Sequence, residues 1–278
     1  MGTVQDPLPD RVLRRFRQEC FDDVQSYPEY SALTSCLAKK LGAESVGLVA
    51  GIDEAINLLA RAFGRDILIF PPTYYEYFHT PRRNGITVSE QNCFDGETYR
   101  LPADANGRSL VFIANPNNPF GVAPLEGIRR LAESTDGIVA VDEAYVDFGA
   151  KTAAGLLRDF ENLLILRTFS KGFCVSGARV GCIAGAKDTV AKAVERNQFF
   201  SVSSASARMA LISLEEEESF TAIRANLVKR KMMFEDALRA AGYRVMDSAT
   251  TTTVLKFNST GEAASFSCSA TAHMTPLG

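Results

Sequence analysis

The sequence has little from which to build a metal centre. Its 278 residues include only two histidines, His79 and His273, and its six cysteines (Cys20, Cys36, Cys93, Cys174, Cys182 and Cys268) are scattered without a CxxC pair. Zinc-ligand sets and disulfide frameworks both need tighter clustering, so neither is expected, and reduced thiols in a cytoplasmic compartment are the default. An excess of positive charge is also lacking. The formal net charge of -3 argues against a nucleic acid or an anionic membrane as partner, because both are bound through clustered cations. No apolar run is long enough to span a bilayer, and the opening MGTVQDPLPDRVLRRF has no apolar stretch of signal-peptide length. No internal repeat is visible. A cytosolic protein acting on small molecules is the expectation.

What the sequence does have is material for a large core: 46% of its residues are hydrophobic and 23% are charged, the balance of a soluble globular chain. From about residue 45 to 185, short apolar runs alternate with helical patterns. SVGLVAG, DILIFPP, SLVFIANP, IVAVDEAY, NLLILRTF and RVGCIAG read as strands buried on both faces. DEAINLLARAF and PLEGIRRLAES read as the helices between them, the second opened by Pro124 in its first turn. This order implies an α/β fold with a mostly parallel sheet flanked by helices, whose ligands collect at the carboxyl ends of the strands. DRVLRRFRQECFDDVQ and SALTSCLAKKLG read as helices on either side of a break at YPEYS. Beyond residue 186 the pattern is largely helical, with the EEEE run at 215–218 read as a solvated helix start. The ending, FNSTGEAASFSCSATAHMTPLG, reads as an irregular or disordered tail. The expected division is an N-terminal arm over 1–30, a large domain over 31–210 and a smaller, mostly helical C-terminal unit over 211–278.

Three motifs fall at strand ends: NPNNPFG (115–121), DEAY (142–145) and the SK pair (170–171) inside RTFSKGFCVSGARVG. Taken singly, Asp142 serves as well as a helix cap and Asn118 as a turn residue. Together they supply what an aldehyde cofactor with a heteroaromatic ring requires. Lys171 offers an amine for a Schiff base, Asp142 a carboxylate for the ring nitrogen, and Asn118 with Tyr145 hydrogen bonds to a phenolic oxygen. A phosphate on that cofactor calls for a helix N-terminus, hydroxyls and a guanidinium. AGIDEA (50–55), Ser170 and Arg179 provide them, while Gly172, Gly177 and Gly181 allow tight turns close to a ligand.

These residues resemble the fold-type I pyridoxal-phosphate aminotransferases (class I/II), and among them the histidinol-phosphate aminotransferase group. The motifs that carry the resemblance, in order, are YPEY (27–30), GIDEAINLLARAF, FPPTYYEY, NPNNPFG, VDEAYVDF and RTFSKGFCVSGARVG. The resemblance implies a seven-stranded, mostly parallel sheet, pyridoxal 5'-phosphate as cofactor, and amino transfer between an amino acid or amino-phosphate compound and a 2-oxo acid. It also implies roles for individual residues. Lys171 anchors the cofactor and moves the α-proton, Asp142 pairs with the pyridinium nitrogen, Asn118 and Tyr145 bind the phenolic oxygen, and Tyr74 stacks on the ring. Ile52 and Asp53 (through the backbone), Thr168, Ser170 and Arg179 hold the phosphate. Tyr27 reaches the phosphate of the neighbouring subunit in a homodimer. Read from the residues alone, Tyr74 is equally an ordinary core aromatic, since FPPTYYEYF holds five aromatics in nine residues.

Two departures from the family pattern bear on the substrate. TVQDPLPD stands where an asparagine- and glycine-containing lid is usual, and no arginine follows Arg244, where the family carries one that clamps the substrate carboxylate. The expectation is a shortened small domain. Three origins fit it: a truncated or frameshifted copy with the polar tail as its scar, a substrate held by another group, or a need for a partner subunit. Two further activities follow as alternatives: decarboxylation of a phosphorylated amino acid on the same scaffold, or cofactor binding with little turnover.

Overall fold

The computed structural model describes residues 7–21 and 24–273. Seven strands form one sheet: β1 (Ser45–Val49), β2 (Asp66–Ile69), β3 (Thr87–Glu90), β4 (Leu110–Ala114), β5 (Ile138–Asp142), β6 (Leu163–Thr168) and β7 (Gly181–Gly185). Their spatial order is β1-β7-β6-β5-β4-β2-β3. Strands β3, β2, β4, β5 and β6 pair in parallel, and β7 runs antiparallel between β6 and β1. Every residue of β4, β5 and β7 is buried, as continuous apolar runs require of strands covered on both faces.

Helices cover both faces, and alternate residues of each strand feed two separate cores. On one side Val111, Ile113, Val139, Val141 and Ile165 pack with residues of α1 (Asp10–Glu19), α2 (Ser31–Leu41), α5 (Leu125–Glu133) and α7 (Ser204–Glu215). On the other, Phe112, Ala140, Leu164 and Ile183 pack with α3 (Ile52–Phe63), α4 (Glu76–Arg83) and α6 (Lys187–Val194). Val12 and Phe16 of α1 are buried in the first core, each contributing about 1.5–3 kcal/mol of apolar burial.

The structure corrects three expectations. Edge strand β3 has no counterpart among the apolar runs: TVSE is polar and half exposed, as suits a strand with one neighbour. In the C-terminal unit the long helix α8 (Glu217–Ala240) is followed by an antiparallel hairpin of β8 (Arg244–Met246) and β9 (Val254–Lys256). Residues 260–273 of the supposed irregular tail form helix α9 (Thr260–His273), while 274–278 lie outside the described residues. Helix α9 has a start signal in SxxE: Ser259 Oγ accepts the Glu262 N–H at 3.1 Å, and Glu262 accepts the Asn258 N–H at 3.0 Å. Such a reciprocal cap satisfies orphan donors at a helix start.

The third correction concerns the EEEE run, which is not merely solvated. Glu216 is 5% exposed and pairs with Arg11 at 3.0 Å and Arg15 at 3.1 Å, while Glu215 pairs with Arg15 at 2.7 Å and Glu217 with Lys40 at 2.8 Å. The run is the junction of α7 and α8, and it ties both to α1 and α2. Glu216→Ala is expected to lower unfolding free energy by about 1–3 kcal/mol, since it deletes the buried carboxylate that accepts from both Arg11 and Arg15. Exposed Glu218→Ala is expected to change it by less than about 0.5 kcal/mol. Urea titration of the two variants compares them.

Candidate active site

Because β1, β4, β5 and β6 all point the same way, their carboxyl ends open at one edge of the sheet, and antiparallel β7 begins there. The segments after β1, β4, β5 and β6, and the segment before β7, are therefore neighbours. They hold Ile52 and Asp53, Asn118, Asp142 with Tyr145, Thr168 through Lys171, and Arg179. The motifs singled out in the sequence thus converge on one edge.

Asp142 ends β5 and is 4% exposed. Its Oδ2 accepts the hydroxyl of Tyr77 at 2.6 Å and its Oδ1 the Ala144 N–H at 2.9 Å. Burial pushes its carboxyl up to about 6 against the pull of those two donors. Tyr77 is fully buried, stacked on Phe112 at 5.1 Å. Lys171 is half-buried; its ammonium lies over the Tyr145 ring, 5.4 Å from the centroid. Burial lowers its pKa and the Arg179 charge lowers it further, while Asp142 and Asp53 act in the opposite sense. Asn118 Nδ2 points at the Tyr145 hydroxyl at 3.4 Å, and its Oδ1 accepts the hydroxyl of Thr250 at 3.2 Å.

A second group surrounds the start of α3. Gly51 precedes that helix with φ +91° and provides no side-chain cap, so the first-turn N–H groups of Ile52 and Asp53 keep the orphan donors of a helix start. Arg179 packs on Gly51: a Cβ there would lie 2.6 Å from the guanidinium. Arg179 sits 3.6 Å from the Asp53 carboxylate. Tyr74 donates its hydroxyl to Asp53 at 2.8 Å and meets Tyr77 edge-on at 5.6 Å. Thr168 Oγ1 accepts the Ser170 N–H at 3.1 Å, tightening the turn that carries Lys171, and Ser170 is buried. Tyr27 is 82% exposed and stacks on Phe200 at 4.8 Å. Among the described residues, no hydrogen bond or ring contact joins it to this group.

Behind the edge lies a buried ionic cluster. Arg167, in β6, is paired with Glu143 at 3.1 Å and Asp147 at 2.5 Å. Glu143 is 1% exposed and also accepts the Thr152 hydroxyl at 2.7 Å. Asp147 packs against Gly172, where a Cβ would come within 2.4 Å of its carboxylate, so the residue after Lys171 must be small. The glycine reading holds only in part. Gly177 has open space where a Cβ would be, and the left-handed residues of this stretch are Cys174 (φ 55°) and Arg179 (φ 52°).

Sequence reasoning missed Tyr77, Arg167, Glu143 and Thr250. The first was hidden among the aromatics of FPPTYYEYF. The next two carried a usable signal, since a charge within or directly after a continuous apolar strand needs a buried partner. Thr250 carried none.

The sequence pattern of the class I and II aminotransferases matches residues 2–270. The chain belongs to that family. Pyridoxal 5'-phosphate is the cofactor of class I and II aminotransferases. A histidinol-phosphate aminotransferase of Thermococcus kodakarensis is 38% identical over 199 residues, covering 66% of this chain and 57% of the relative. The chain thus spans just over half the length of that relative. The histidinol-phosphate aminotransferase of Clostridium acetobutylicum has the same fold, with TM-score 0.82 at 21% identity over 98% of this chain and 86% of that one. So does the Sinorhizobium meliloti enzyme solved in complex with pyridoxal-5'-phosphate, with TM-score 0.79 at 20% identity over 93% of this chain and 74% of that one.

The electrostatics of Asp142 make a pH-dependent prediction for the cofactor-free chain. Its folded pKa of about 6 lies above the ordinary aspartate value of about 3.9. Stability is therefore greatest, as far as this group is concerned, below pH 4 and falls as pH rises through 6. Tyr77→Phe removes a donor to the charged form, so it is expected to cost about 1.5–3 kcal/mol at pH 8 and less at pH 5. Urea unfolding at the two pH values measures the difference.

Proposed function

We propose that this chain binds pyridoxal 5'-phosphate and catalyses amino transfer between an amino acid or amino-phosphate compound and a 2-oxo acid, as its histidinol-phosphate aminotransferase relatives are named to do. One observation carries the reading: the Lys171 amine, the buried Asp142 and the Asn118–Tyr145 pair converge where four strand ends meet.

The residues fit the cofactor at both of its ends. An uncapped helix N-terminus at Ile52 and Asp53, with Arg179 seated on a glycine beside it, is a cradle for a phosphate. Thr168 and Ser170 lie on the adjoining turn. At the far end, Asp142 is a buried carboxylate held by two neutral donors, which leaves a cationic ring nitrogen as the partner that would stabilise its charge. Asn118 and Tyr145 would hold the phenolic oxygen, Tyr74 would cover the ring face, and Lys171 would anchor the aldehyde. When bound, pyridoxal phosphate acts as an electron sink for the bonds at the substrate Cα. Lys171 then has the remaining task of moving a proton at Cα, and the lowering of its pKa by burial favours the neutral amine that a base requires. We further propose a homodimer of cytoplasmic location in which Tyr27 of the partner subunit reaches the phosphate.

Titrating the purified chain with the cofactor tests the reading. A visible absorbance band is expected that is absent in Lys171→Ala, and a chain without such a band would refute cofactor anchoring. Incubation with a panel of amino acids and histidinol phosphate is expected to yield 2-oxo acids from the former and a phosphorylated ketone from the latter, whereas release of carbon dioxide with an amine would reassign the bond broken. A second prediction follows from the Asp142 carboxyl at about 6. Pairing with the ring nitrogen needs the ionised form, so affinity should be full above pH 6 and fall by up to about tenfold for each unit below it. Asp142→Asn should bind more weakly and lose this dependence, as measured by equilibrium titration between pH 5 and 8.

A further inference from the structure

Thr250 lies in the loop between β8 and β9, 132 residues from Asn118 in sequence, yet it is 3% exposed and touches it. Its hydroxyl has three polar neighbours besides its own backbone. Oγ1 accepts the Thr252 N–H at 3.2 Å and lies 3.0 Å from Ser248 Oγ and 3.2 Å from Asn118 Oδ1. A hydroxyl carries one proton. Asn118 Oδ1 is a pure acceptor, so the Thr250 proton goes there, and Ser248 must donate to Thr250. The direction of the chain is then fixed: Ser248 to Thr250 to Asn118.

The consequence falls on the carboxamide. With Oδ1 committed to Thr250, Nδ2 is turned toward Tyr145, 3.4 Å away. An Nδ2 hydrogen bond to the Tyr145 oxygen leaves the tyrosine proton and the second amide proton as two donors for one acceptor. The loop itself is held by α8: Lys231 donates to the Ser248 carbonyl at 2.7 Å, and Thr253 donates to buried Glu235 at 3.2 Å. The far side of the hairpin is tied down as well, since Lys256 donates to the Gly96 carbonyl at 3.1 Å.

We infer that Thr250 is a positioning residue of the cofactor site, and that the β8–β9 hairpin sets the amide orientation of Asn118 through the Ser248–Thr250 relay. This rests on the cofactor reading above. Chains of hydrogen bonds polarise one another, so the relay also strengthens the donors it orients. Without the Thr250 hydroxyl, Asn118 is free to flip and present its oxygen, an acceptor facing an acceptor.

The test uses the purified chain and pyridoxal 5'-phosphate, comparing wild type, Thr250→Val and Thr250→Ser by equilibrium dissociation constant and by the pH midpoint of the visible band. Valine keeps the shape and removes the proton. It is expected to weaken binding about tenfold and to raise the midpoint, because donors to the phenolic oxygen favour its charged form. Serine restores the hydroxyl and should return both values to within about twofold of wild type. If Thr250→Val does not fold, Ser248→Ala removes only the first donor and should weaken binding a few-fold. Wild-type affinity and midpoint in the folded variants, or a serine variant as impaired as the valine one, would overturn the inference. Failure of the wild-type chain to bind the cofactor would instead overturn the reading on which it rests.

Discussion

The edge of the sheet keeps its shape because one buried guanidinium is shared by two carboxylates. Arg167 is the penultimate residue of β6, Glu143 follows β5, and Asp147 lies in the 3-10 turn beyond it. Removing one partner from a buried pair of this kind costs about 3–5 kcal/mol, since the other charge is left uncompensated. The cluster therefore fixes the DEAY segment and the Lys171 turn relative to each other, independently of any ligand. Gly172 completes the arrangement: its missing Cβ lets Asp147 lie directly against the backbone next to Lys171. Arg224, from α8, donates to the Gly172 carbonyl at 3.3 Å and holds the same point from the other side.

In front of that frame the charges are deliberately unequal. Among the described residues, Arg167 pairs with two carboxylates, Asp142 accepts from the neutral Tyr77 hydroxyl and Ala144 N–H, and Arg179 lies 3.6 Å from the Asp53 carboxylate. Asp142 is thus raised toward neutrality and Lys171 lowered toward it, both chiefly by burial. A buried carboxylate such as Asp142 gains from a ligand that supplies an opposite charge, whereas the Arg167 cluster already holds both signs. The difference separates the cluster that holds the fold from the group whose charge a ligand would complete.

The parts of this design that depend on short-range pattern were legible in the sequence. Six of seven sheet strands announced themselves as apolar runs, and Asp142, Asn118, Lys171 and Arg179 stood at their ends. Strand β3 was not legible because an edge strand needs no apolar face. Helix α9 was missed through attention to composition, although Ser259 and Glu262 formed a readable cap. Tyr77 and Thr250 were illegible for a different reason: each acts through one hydrogen bond to a residue 65 or 132 positions away. No local pattern encodes a contact of that range.

Thr250 shows what that range accomplishes. The edge of a parallel sheet can present Asn118, but a carboxamide is nearly symmetric in shape, and packing alone does not choose between its oxygen and its nitrogen. Choosing requires a donor on one side, and a hydroxyl whose other positions are filled by Ser248 and Thr252 is such a donor. The hairpin after α8 supplies it, and Lys231 and Glu235 of α8 hold the loop in register. Because Arg224 of that helix also holds Gly172 beside Lys171, a shift of α8 would move the lysine turn and the Asn118 donor together. The two sides of the site are thereby coupled through a helix that contributes no reacting group to it.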